Sequence, residues 1–155
     1  MTINRSIQIA NILRKVGNKS CLAKAEMLEK ESPPMSFLAL RSLDLNASNV
    51  ISIASCLKQE KEDPNHLLKS ISFSYNLLLG DDGAIALTEH LPDTICEIGL
   101  VNCGINDRGG MEVLNWIISL PNLQMICIEQ NNFSETLRSE FRKFNGDNPQ
   151  VLVVY

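Results

Sequence analysis

One short apolar pattern recurs along the chain at a nearly fixed interval. It reads Leu40-x-x-Leu43-x-Leu45, Leu68-x-x-Ile71-x-Phe73, Ile95-x-x-Ile98-x-Leu100 and Leu123-x-x-Ile126-x-Ile128, with starts 28, 27 and 28 residues apart. Another 28 residues bring a fifth start, Val151-x-x-Val154. Self-similarity at this period predicts a stack of units, each burying its apolar face only against its neighbours. The 155 residues then need one continuous core and no second domain.

Within each unit the alternation of apolar and other residues predicts a short strand with one buried face. Eight residues after each start stands a residue suited to a turn: Ser48, Asn76, Cys103 and Asn131. A side chain buried there can bond the backbone where the strand bends away. An inward apolar residue follows: Val50, Leu79 or Leu78, Ile105 and Phe133. Helices are then expected over Ile51–Lys58, Ala84–Leu91, Met111–Leu120 and Ser134–Phe144. Pro64, Pro92, Pro121 and Pro149 fall between helix and next strand, where a helix cannot continue. The charge run from Lys58 to Asp63 reads as a solvated helix end.

Ahead of the first start lie two helical stripes. Ile7, Ile9, Ile12, Leu13 and Val16 form one; Leu22, Ala25, Met27 and Leu28 form the other, with Ser20 as its expected N-cap and Ser32-Pro33-Pro34 as its stop. Residues 1–39 therefore read as an N-terminal helical cap, and 40–155 as about four full repeats plus a terminal strand.

Charge narrows the function. Residues 1–31 carry six Lys or Arg against three acids, the remainder eight against fifteen. An acidic repeat body argues against nucleic acid, which selects clustered cations. No apolar run is long enough to span a membrane, and residues 1–11 lack the apolar core of a secretory signal. Five cysteines without a CxxC pair point to free thiols in a reducing compartment, hence a cytoplasmic protein. No Cys/His cluster has metal-ligand spacing, and no cofactor motif occurs, so neither a metal nor a cofactor is expected. His90 and Cys96 are the only pair near enough in sequence to suggest nucleophilic chemistry, and their places in the pattern do not support it.

The run Ile95-Cys-Glu-Ile-Gly-Leu-Val-Asn-Cys-Gly-Ile-Asn-Asp-Arg-Gly109, repeated with variations in the other units, resembles a leucine-rich repeat of the ribonuclease-inhibitor type. The resemblance implies an α/β solenoid: a short curved arc with parallel strands on its concave face and helices on its convex face. It also implies a protein-binding role without catalysis. Similar proteins include inhibitors, small-GTPase regulators and proteins that bacteria deliver into host cells.

Residues between the buried positions of each strand point away from the core. The expected partner-binding residues are Asp44, Asn46, Ser72, Ser74, Tyr75, Glu97, Val101, Met125, Cys127 and Glu129. The face they form is mildly acidic, which predicts a protein partner of basic character. Tyr75 is its aromatic anchor. An alternative role is regulation of an enzyme such as a small GTPase through loop residues Asp107 and Arg108. The strand Val151–Tyr155 leaves three expectations open: cover by residues 141–148, pairing with a second copy as a homodimer, or continuation into further repeats.

Overall fold

The computed structural model describes residues 4–31, 35–58 and 68–155. Two helices come first, α1 (Arg5–Val16) and α2 (Lys19–Lys30). Strand and helix then alternate: β1 (Phe37–Ala39), α3 (Ala47–Leu57), β2 (Ser70–Ser72), α4 (Gly80–His90), β3 (Glu97–Gly99), α5 (Asp107–Ser119), β4 (Met125–Cys127), α6 (Glu135–Asp147) and β5 (Leu152–Val154). The five strands form one parallel sheet in chain order. Among the described residues no helix is long and apolar enough to cross a membrane.

The middle strands hold the expected register. Ile71, Ile98 and Ile126 are in line across β2, β3 and β4 and are buried, while their strand neighbours face the other way. The first unit departs from expectation. Leu38, not Leu43, pairs with Ile71, so the unit starts at Met35, five residues before Leu40. Leu40 belongs to two overlapping patterns, Met35-x-x-Leu38-x-Leu40 and Leu40-x-x-Leu43-x-Leu45, and regular spacing favoured the wrong one. The first strand thus lies inside the stretch assigned to the cap. The fifth unit shifts by one: Val153 pairs with Ile126, so the buried residue is Val153 and not Val154.

A buried polar ladder joins the units where the strands end. Asn76 Oδ1 accepts from Leu43 N at 3.1 Å and Leu45 N at 3.0 Å, and its Nδ2 donates to Leu40 O at 2.8 Å and Phe73 O at 2.7 Å. Asn131 repeats this two units on, accepting from Cys103 N and Ile105 N and donating to Leu100 O and Ile128 O. Between them Cys103 Sγ donates to Phe73 O at 3.3 Å. In the first unit the corresponding residue is Leu43, not Ser48, which is exposed in the first turn of α3. The Leu43 carbonyl is met by Asn18 Nδ2 at 2.9 Å and Cys21 Sγ at 3.3 Å. Helix α2 thereby closes the ladder, and Asn18, rather than Ser20, caps that helix.

The inward apolar positions are Leu45, Leu79, Ile105 and Phe133, all buried. Val50, expected in the first of these places, is instead a buried residue of α3. The second unit carries one extra residue, which leaves Leu77 and Leu78 61% and 69% exposed. Trp116 is buried on α5. The stop at Ser32-Pro33-Pro34, Pro64 and most of the charge run lie outside the described residues.

Candidate functional site: the open face of the sheet

Each strand sends its middle residue towards the helices and its two flanking residues to the opposite, open face. Parallel pairing lines these residues up in rows. One row reads Phe37, Ser70, Glu97, Met125 and Leu152; the next reads Ala39, Ser72, Gly99, Cys127 and Val154. Two residues further along each chain come Arg41, Ser74, Val101 and Glu129.

The following residue in each unit is left-handed: Ser42 at φ 56°, Tyr75 at 63°, Asn102 at 50° and Gln130 at 63°. This conformation is unfavourable for a side chain. A recurring backbone bond offsets it: Ser42 N donates to Ser74 O at 3.0 Å, Tyr75 N to Val101 O at 2.7 Å and Asn102 N to Glu129 O at 3.1 Å. The turn lifts Tyr75 to the rim, where the residue is 39% exposed and its ring lies under the Arg41 guanidinium, 5.2 Å from the ring centroid.

Together these residues line a cavity of about 300 Å³ on β1–β4. Eight of the expected site residues line it: Ser72, Ser74, Tyr75, Glu97, Val101, Met125, Cys127 and Glu129. Asp44 and Asn46 do not. They follow β1 rather than forming it; Asp44 sits in the turn at φ 54°, and Asn46 caps α3 by accepting from Asn49 N at 2.9 Å. Their places are taken by Phe37 and Arg41, which the misplaced first strand hid. The overlapping Met35-x-x-Leu38-x-Leu40 pattern was the signal for them.

The thiols differ by position. Burial pushes Cys103 up to about 11 and also raises Cys127, to which the Glu129 charge adds. Other candidate groups are engaged elsewhere. His90 Nδ1 lies 2.8 Å from Ala86 O, and Cys96 Sγ donates to Lys69 O at 3.4 Å. Arg108 is ion-paired with Asp82 at 2.7 Å, and Asp107 accepts from Ser134 N at 2.8 Å. Asp107 and Arg108, expected in a loop, instead open α5 and brace one unit against another. Among the described residues no group of three or more His, Cys, Asp or Glu is placed to hold a metal.

Compared with known proteins, the chain matches no family model and no curated protein.

Proposed function

We propose that this chain is a non-catalytic protein-interaction module of the leucine-rich-repeat kind that holds a protein partner on the open face of its sheet. The supporting observation is the cavity of about 300 Å³. Four strands contribute to it, and it combines an exposed aromatic rim residue with hydroxyls, apolar side chains and two carboxylates. Interfaces draw most of their energy from a few such anchors set among adaptable polar contacts. The carboxylates favour a basic partner, whose binding weakens as salt rises. All five cysteines are free thiols, which fits a reducing compartment such as the cytoplasm.

The test is the triple variant Tyr75→Ala, Glu97→Lys, Glu129→Lys, measured by calorimetry against a partner purified on the wild-type chain. The expected loss is on the order of a hundredfold in Kd. Retained wild-type affinity rules this face out.

A second reading, a homodimer through β5, has one observation in its favour. Ile126 and Ile128 engage the inner side of β5, whereas no described strand lies on its outer side. Val153→Pro removes a backbone donor there and should convert such a dimer to monomer in sedimentation.

A further inference from the structure

The open-face cavity contains one group that the fold leaves unsatisfied. Glu129 lines it, yet its Oε2 is shut off from solvent and accepts no hydrogen bond. Among the described residues it is the one carboxylate oxygen in that condition. A polar oxygen out of water and without a donor is unfavourable. Sealed Oε2 cannot itself be touched, so an incoming cation meets the carboxylate at its other oxygen, while Oε2 adds charge that water screens poorly.

The surroundings suit such a cation. Arg41, the cation lining the cavity, is stacked on Tyr75 and forms no ion pair with a described residue, so Glu129 is not neutralised from within. Gly99 keeps the floor low. A Cβ there would stand 2.9 Å from Ser72 Oγ and 3.1 Å from Ser74 Oγ, so the hydroxyls overhang bare backbone. Met125 and Val101 offer apolar walls for methylene groups.

We infer that the cavity receives a cationic side chain, arginine or lysine, from an extended segment of the protein partner, its charged head against the Glu129 carboxylate and its methylenes along Met125 and Val101. This rests on the open face being the binding face. Charge selects the occupant: the body that carries the cavity holds fifteen acids against eight bases, so an anionic lipid surface and the repeat body of a second copy both meet like charge, whereas a basic segment of a protein partner meets opposite charge.

The experiment is an amide chemical-shift titration of the full chain with the peptide acetyl-Gly-Arg-Gly-amide. Its control replaces arginine by citrulline, which has nearly the same shape and no charge. The expected result is a saturable shift at Gly99, Cys127 and Glu129 in the millimolar range, with the citrulline peptide at least about fivefold weaker. Glu129→Gln should abolish the preference, while Glu112→Gln on α5 should keep it. Equal binding of the two peptides, no shift at these amides up to about 20 mM, or a preference that survives Glu129→Gln overturns the inference. Spermine binding at these amides without arginine-peptide binding also overturns it, in favour of a free polyamine. If the peptide is silent while the triple variant still loses its partner, the open-face reading stands and only the cation pocket falls. If the peptide binds at Glu129 while the triple variant keeps its partner, the cavity takes a cation that is not the partner's, and both the open-face reading and this inference fall.

Discussion

Asn76 concentrates four backbone hydrogen bonds on one buried side chain, two given and two received. Truncating it strands Leu43 N, Leu45 N, Leu40 O and Phe73 O away from water. Each stranded group costs about 1–3 kcal/mol, and partial water entry recovers some of that. Asn76→Ala should lower unfolding free energy by roughly 3 kcal/mol or more in urea titration; a loss below about 1 kcal/mol contradicts the ladder. The thiols give a second residue-scale outcome. Cys103 is fully buried with its pKa raised to about 11, so it stays protonated at neutral pH and should resist iodoacetamide in the native state. Cys127 is only partly buried and should react, faster as pH rises because its raised pKa leaves little thiolate at neutrality. Glu129→Gln removes one cause of that rise and should speed the reaction at pH 8. Native labelling of Cys103 at the rate of Cys127 contradicts the register of the third unit. The raised Cys103 pKa also has a sign in stability. The unfolded thiol loses its proton first, so this contribution is full below about 9 and is lost as pH climbs towards about 11.

At the scale of the element, what could be read in the sequence depended on how many patterns a residue satisfied. Ile71, Ile98 and Ile126 fit one register each, and their strands stand where the repeat places them. Leu40 fits two, and spacing alone selected the wrong one, which cost the site Phe37 and Arg41 and supplied Asp44 and Asn46 instead. Pairing with β2 decides the matter, through Leu38 opposite Ile71 and the bond from Leu40 N to Ser72 O at 2.7 Å. Such tertiary contacts have no local signature. The choice between Leu78 and Leu79 was open for a similar reason, since one inserted residue shifts the inward position. Here Gly104 is informative: a Cβ on it would lie 2.3 Å from the Leu77 carbonyl oxygen, so the second-unit turn is packed directly on third-unit backbone. Leu79→Ala should cost about 2–5 kcal/mol, whereas Leu78→Ser should stay within about 0.5 kcal/mol. Comparable losses from both substitutions contradict the placement of that turn.

Across the whole molecule, one face of the sheet is packed under helices and the other carries the cavity. The two N-terminal helices are net basic and close the ladder at Leu43, while the body they cover is net acidic. The proposed binding on the open face and the stability of the packed face are therefore separable, because the two sets of side chains point in opposite directions along the same strands. The five thiols allow that separation to be read in one measurement. Cys127 lies in the cavity, and Cys56 lies on α3, packed against the core from the helical side. Alkylation rates of both are followed in the wild-type chain, free and saturated with a partner purified on it. Bound partner should slow Cys127 by at least about tenfold and leave Cys56 unchanged. Protection of Cys56 with Cys127 reacting at its free rate would place the partner on the helices and contradict binding on the open face.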